Sequence, residues 1–221
     1  MHKNSVDNVI FGCRDNELEV YLIQHADGPA KGQWGIPGDF VRSDESLEDA
    51  ANRALKTRTG IDDIFLEQLH TFSSLDRYPG KRVITTAYYA LIRPQDYEAV
   101  AGALELDARW FSVNKLPRLM YDHGSILQVG LDHLRHRVQH APIGFNLLSP
   151  KFTLLELQKL YEAILGVQLN KPNFRRKMLR MGLLVDCVEK QTGGAHRAAR
   201  LYRFDAKIYQ KLQNQGFVFE V

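Results

Sequence analysis

Residues 33–61, QWGIPGDFVRSDESLEDAANRALKTRTGI, constrain the fold more tightly than any other stretch of the chain. Gln33 to Ile36 reads as a short strand that runs into Pro37-Gly38, a turn pair, and a polar loop then leads to one amphipathic helix. Ser46 and Asp49 have nearly the spacing chemistry of a capping box, the hydroxyl accepting from the N3 amide and the carboxylate reaching back to the N-cap amide. Leu47, Ala50, Ala51, Ala54 and Leu55 recur at helical spacing and so share one face. Gly60 stands where the residue after a helix turns left-handed. A strand, a tight turn and a single helix with an alanine stripe need a sheet for that stripe to rest on.

The surrounding chain supplies one. Val6 to Cys13 and Val20 to His25 are apolar, β-branched runs separated by Arg14, Asp15 and Asn16, the pattern of a hairpin. Phe65 to Phe72 and Arg82 to Ile92 read as further strands, joined by LDRYPGKR with its Pro79-Gly80 turn, and Glu105 to Phe111 adds an edge strand. Strands with one helix packed against them favour a mixed sheet over a sandwich. From Asp122 to His140, Ile126, Leu127, Val129, Leu131, Leu134 and Val138 predict a long helix that covers the sheet or pairs with a second subunit. Pro142-Ile143-Gly144 is the first strong break after it, which places a boundary near residues 141–149 and gives domains 1–145 and 146–221.

Beyond the boundary, Thr153 and Glu156 make a capping box for a helix carrying Leu154, Leu157, Leu160, Tyr161 and Ile164, stopped by Gly166. Asn170 caps a second helix with Pro172 in its first turn, ended by Gly182, with Phe174, Met178, Leu179 and Met181 expected on its buried side. Leu183 to Glu189 and Arg200 to Phe204 alternate as strands around KQTGGAHR. Two helices followed by a hairpin is the order of a winged helix-turn-helix, which places its second helix in the major groove of DNA.

Charge separates the two halves. The chain carries a net +3, but residues 146–221 hold 7 Lys and 6 Arg against 2 Asp and 4 Glu, a net +7, which leaves −4 for residues 1–145. An acidic part joined to a basic part is what a sensor attached to a nucleic-acid-binding module shows. Lys171, Asn173, Arg175, Arg176, Lys177 and Arg180 crowd the second helix, and Lys190, Gln191, Thr192, Arg197 and Arg200 crowd the hairpin. Phosphates require cations, and base edges require Arg, Asn or Gln on the inserted element, so both inventories are present. A solubilising face or a protein-docking wing is the competing reading. His133, His136 and His140 lie near one helical face but among arginines, and read as a solvated basic surface rather than a zinc site.

Composition excludes disorder, since 44% of residues are hydrophobic and 25% charged. Neither a signal-peptide run nor a membrane span is legible, so a cytoplasmic location is the default expectation. Cys13 and Cys187, far apart and without CxxC spacing, are expected to be reduced thiols.

Gly38, Glu45, Arg53, Leu55, Gly60 and Ile61 resemble the signature of the Nudix hydrolases, with one extra residue between Gly38 and Glu45. Where active members carry metal-binding glutamates, this chain has Ala54, Thr57 and Arg58. Magnesium takes hard oxygen ligands, and a guanidinium among those positions repels it. The resemblance runs over residues 6–140 and includes PGDFV, DRYPGKRV, ARWF and YDHGSIL. It implies a Nudix-like α/β/α sandwich with a mixed sheet that has lost its chemistry but kept a pocket for a nucleoside diphosphate derivative. It points to Gly38, Phe40, Arg53, Arg77, Arg82, Asp122 and His123 as the pocket residues, arginine forks being suited to a pyrophosphate. For each arginine an ion pair with Glu45, Glu48 or Asp49 competes with that role.

Together with the winged helix, the whole chain resembles the Nudix-related transcriptional regulators of NAD metabolism. That resemblance implies an ADP-ribose-sensing repressor of genes for NAD synthesis or salvage, with no cofactor or metal, acting as a homodimer on an inverted-repeat operator. A rival reading is an active Nudix pyrophosphatase that uses Glu45, Glu48 and Asp49 as a shifted metal site, although these lie at the wrong end of the helix. A third is a module that binds a protein partner instead of DNA.

Overall fold

The structure is a computed structural model and describes residues 3–97, 102, 105–190 and 198–221. Internal contacts divide it into two units, one of residues 1–14 and 18–133, the other of residues 134–221 with 15–17.

In the first unit, five strands follow the order β3 (Trp34–Gly35), β2 (Glu17–His25), β1 (Lys3–Arg14), β6 (Val83–Leu91), β5 (Glu67–Phe72). β4 (Gly38–Phe40) pairs with β1, and β7 (Glu105–Ser112) pairs with β2. β1 and β6 run parallel while β1–β4, β2–β3, β2–β7 and β5–β6 are antiparallel, which is the mixed sheet expected from the sequence. A parallel central pair must be covered on both faces, and the burial of Val6 through Gly12 shows that it is. Alternation along β1 decides which layer each residue meets. Val6 packs with Ala50, Ala51 and Ala54 of the helix α1 (Leu47–Thr59), and Ile10 belongs to the cluster that contains Leu55. Val9 and Phe11 point the other way, towards Gly130 of α2 (His123–His140).

The local signals for α1 are realised. Ser46 and Asp49 complete a capping box, and Gly60 closes the helix at φ 71°. On α2 one expectation fails: Val129 is exposed, because the neighbouring Gly130 is the residue that approaches the sheet.

The second unit begins with the last residues of α2, from Leu134 onward. It continues with α3 (Leu154–Leu165), α4 (Lys171–Arg180), the hairpin β8 (Leu184–Lys190) and β9 (Arg200–Phe204), and α5 (Ala206–Gln213). Thr153 and Glu156 form the anticipated capping box. Leu157, Leu160, Tyr161 and Ile164 of α3 are buried, and the Tyr161 ring meets Phe174 of α4 at 5.4 Å. Phe145 stacks on Phe204 at 4.4 Å, and Phe152 makes a single antiparallel bridge to Tyr202 of β9. Leu179, expected to be buried, is 46% exposed. Phe174 and Met178, four residues apart, already define the inward stripe of α4, and Leu179 lies about 100° round the helix from Met178.

Candidate ligand cleft and DNA-binding surface

Arg53 organises the loop that precedes α1. Its Nε donates to Glu45 Oε2 at 2.8 Å, its Nη2 to Glu45 Oε1 at 2.7 Å and to the Phe40 carbonyl at 2.9 Å, and its Nη1 to Asp39 Oδ2 at 2.7 Å. One guanidinium thereby fixes both ends of the loop to the helix. The hydrogen bonds from Arg53 hold the Glu45 carboxyl down to about 2.

Above this loop lies a cleft of about 220 Å³. One part of its wall is aromatic: Phe40 and Tyr78 stand 6.1 Å apart, Tyr78 and Tyr121 4.8 Å. Tyr121 is held at φ 46°, an uncommon conformation for a bulky residue. Beside the rings, Arg77 grips Asp122 with two parallel 2.9 Å bonds and stands 3.8 Å from Asp7, whose Oδ2 also accepts from Thr85 Oγ1 at 2.7 Å. His123 is buried and its Nδ1 accepts from the Ile36 amide at 2.9 Å, which fixes that nitrogen as unprotonated. Burial lowers the pKa of His123.

A second group in the wall is ionic. Arg58 Nη1 donates to Glu105 Oε1 at 2.6 Å, its Nη2 stands 3.7 Å from Asp39, and His25 Nδ1 lies 3.8 Å from Glu105 Oε2. Burial, reinforced by the positive charge of Arg58, brings His25 down to about 4, so the ring is neutral near pH 7. Burial pushes Glu105 up, against the opposing pull of Arg58. β4 links the two groups, since Asp39 faces Arg58 and its neighbour Phe40 faces Tyr78.

The residues singled out from the sequence are placed as follows. Gly38, Phe40, Arg77 and His123 line the cleft. A side chain at Gly38 would run into Asp7 Oδ1 and the Val6 carbonyl, so this glycine serves the close pairing of β4 with β1. Asp122 sits at the edge of the same group, holding Arg77. Arg53 and Arg82 do not line the cleft: Arg53 forms the ion pair with Glu45, and Arg82 donates to the carbonyls of Ser73 and Ser74.

Tyr78, Tyr121, His25 and Glu105 are not marked as pocket residues by the sequence, in which Arg58 reads only as a lost metal ligand. Tyr78 and Tyr121 adjoin Arg77 and Asp122 in the sequence, and that adjacency was the available signal. His25 and Glu105 carry no local signal, because their proximity is created by the pairing of β2 with β7.

The magnesium that a Nudix fold implies does not fit these residues. Ala54 is buried, the Thr57 hydroxyl donates to the Arg53 carbonyl, and Arg58 brings a positive charge. The carboxylates of the rival site have structural employment, Glu45 with Arg53 and Asp49 in the capping box. Among the described residues, no group of three or more His, Cys, Asp or Glu is placed to hold a metal ion.

In the second unit, Asn170 caps α4 by accepting from the Asn173 amide at 3.1 Å. Lys171, Asn173, Arg176 and Arg180 are exposed, Arg175 and Lys177 half-buried, and Phe174 and Met178 form the underside. Lys190 and Arg200 are exposed on the hairpin, where they oppose one another across the strands. Gln191, Thr192 and Arg197 lie outside the described residues. A short, capped helix with an apolar underside and a cationic outer face is suited to lie against a phosphate-lined groove.

A mixed-sheet domain with a mixed aromatic and ionic cleft, followed by a winged helix with a basic second helix, is the build of a ligand-responsive DNA-binding regulator. Residues 1–129 match the NUDIX domain family, and residues 144–204 match the NrtR DNA-binding winged helix domain. The ADPR responsive transcriptional repressor NtrR of Acinetobacter baylyi is 34% identical over 93% of this chain and 83% of its own length. The crystal structure of Shewanella oneidensis NrtR complexed with a 27mer DNA superposes with a TM-score of 0.77 at 32% identity, over 91% of this chain and 93% of that one. The NUDIX domain of the Shewanella oneidensis protein complexed with ADP ribose superposes with a TM-score of 0.55 at 31% identity, over 61% of this chain and 89% of that one. The chain belongs to the NrtR family, Nudix domains fused to a winged-helix DNA-binding domain.

Proposed function

We propose that the chain is an ADP-ribose-responsive transcriptional repressor of genes for NAD synthesis or salvage. Residues 1–145 sense the nucleotide and residues 146–221 hold double-stranded operator DNA. The carrying observation is a cleft that keeps its aromatic and cationic wall while the helix beside it presents Ala54, Thr57 and Arg58 instead of carboxylates. Such a site binds a nucleoside diphosphate derivative without hydrolysing it. The relatives support this reading, since the Shewanella oneidensis protein was crystallised with DNA and its Nudix domain with ADP ribose.

A homodimer presents two copies of α4, so its operator is an inverted repeat with half-sites one or two helical turns apart, roughly 10 or 20 base pairs. A metabolite that releases such a protein must bind the DNA-incompetent conformation more tightly, because equal affinity for both states shifts nothing. A gel-shift series against upstream regions, with and without ADP-ribose, tests the whole reading. The expected result is retardation at an inverted repeat that ADP-ribose reverses, with no AMP released at a turnover near one per second in magnesium. Retardation that ADP-ribose leaves untouched, or AMP release at that turnover, would refute it.

A further inference from the structure

A diphosphate entering this cleft meets Asp7, Asp27 and Asp39, three carboxylates that repel it, and needs a cation within reach. Two arginines line the wall. Arg77 is closed: its Nε and Nη2 both donate to Asp122, Asp7 is 3.8 Å away, and only 4% of its side chain is exposed. Arg58 is less closed, with 13% of its side chain exposed. Glu105 accepts from one terminal nitrogen at 2.6 Å, the other stands 3.7 Å from Asp39, beyond hydrogen-bonding distance, and Nε is buried with no partner among the described residues. A guanidinium has five N–H donors in a rigid fork, and on Arg58 the buried Nε is out of a ligand's reach while Nη2 makes no hydrogen bond among the described residues and is the donor left for one.

Its position is nevertheless fixed. The Arg58 carbonyl accepts from the Gly102 amide at 3.1 Å, and a side chain at Gly102 would collide with the carbonyls of Thr57 and Arg58. Glu105 has a fully buried side chain and grips the guanidinium from the strand side. Neighbouring His25 is uncharged near pH 7 and adds no competing cation.

We infer that Arg58 takes the place of a divalent cation in this cleft and binds the diphosphate of the ligand directly, with Glu105 as the residue that positions it. The inference rests on the nucleotide-sensing reading above and names the group that recognises the charge.

The test is titration calorimetry on the full chain with ADP-ribose, in EDTA and again in magnesium. The wild-type protein is expected to bind equally well in both. Arg58→Gln is expected to bind about tenfold or more weakly, the loss of charge-assisted hydrogen bonds, and to lose less affinity for AMP, which has a single phosphate. Arg58→Lys keeps the charge and the ion pair with Glu105 but not the fork, so it should fall between the two and show that the defect is not misfolding. Wild-type binding that requires magnesium, or Arg58→Gln binding as tightly as wild type, would overturn the inference while leaving the sensing reading intact. Absence of wild-type binding under both conditions would overturn the sensing reading, and this inference with it.

Discussion

At and beside the cleft three arginines have carboxylate partners: Arg53 with Glu45 and Asp39, Arg58 with Glu105, Arg77 with Asp122. On α4, among the described residues, Arg176 bonds the Asn173 side chain at 2.9 Å and no carboxylate, and Lys171, Arg175, Lys177 and Arg180 have no carboxylate partner. The contrast is what the roles proposed for the two surfaces require. A small ligand is selected by groups held in one geometry, and buried cations are held by buried anions. Duplex DNA presents a continuous row of phosphates, and binding is driven by exposed cations that displace counterions, for which an internal partner is a hindrance. Arg53 and Arg77 are structural braces, the cations of α4 keep donors free among the described residues, and Arg58, held by Glu105 through one nitrogen only, stands between the two conditions.

Arginine-to-alanine substitutions in the two regions should therefore fail differently. Arg53→Ala removes four hydrogen bonds, leaves Glu45 without its partner cation and leaves Asp39 with only the more distant Arg58, at 3.7 Å. Breaking a fully buried pair costs about 3–5 kcal/mol; these groups are partly exposed, so about 2 kcal/mol is expected. Chemical denaturation would show this as a lower midpoint with an unchanged slope, and a midpoint equal to wild type would break the comparison. Arg176→Ala should leave the midpoint alone and weaken operator binding by about 1 kcal/mol, with the salt dependence reduced by about one ion. Loss of stability in this variant, with DNA affinity kept, would show that α4 is braced rather than free.

Much of this architecture was legible in the sequence, because its signals are local. Capping boxes at Ser46 and Thr153, stop glycines at Gly60 and Gly166, and the apolar run of β1 each depend on residues a few positions apart. The ionic end of the cleft was illegible for the opposite reason: His25, Arg58 and Glu105 come from three elements and meet only through the β2–β7 pairing and the last turn of α1. The arginines were visible but their partners were not. Nothing local says that Arg82 turns to the Ser73 and Ser74 carbonyls while Arg77 turns inward to Asp122. Leu179 and Val129 failed because an apolar residue at the rim of a helical stripe reads like one inside it.

The smallest expected effect tests whether the cleft's charges belong to the fold. His25 titrates at about 4 in the folded chain against 6.5 when unfolded, because it is buried and faces Arg58 and His123, with Asp27 opposing. Between those values the unfolded chain binds more protons, so His25 removes stability as pH falls from about 6.5 to about 4. Glu105 has the opposite sign: its folded pKa is raised by burial, so the penalty for keeping it charged is present near neutrality and is relieved as pH falls through that raised value towards 4.5. The two contributions offset one another in the wild-type chain. His25→Gln removes only the first, so the variant should gain on wild type as the solution is acidified from pH 7 to 4.5, by roughly 1 kcal/mol or less after allowance for solvent screening. Denaturation midpoints measured across that range would show the two curves converging or crossing. Parallel curves would mean that the His25 ring is not buried against Arg58, and the contrast with α4 would lose its electrostatic basis. Arg176→Ala serves as the control, because a cation exposed to solvent and, among the described residues, without a titrating partner should leave the pH profile of stability unchanged.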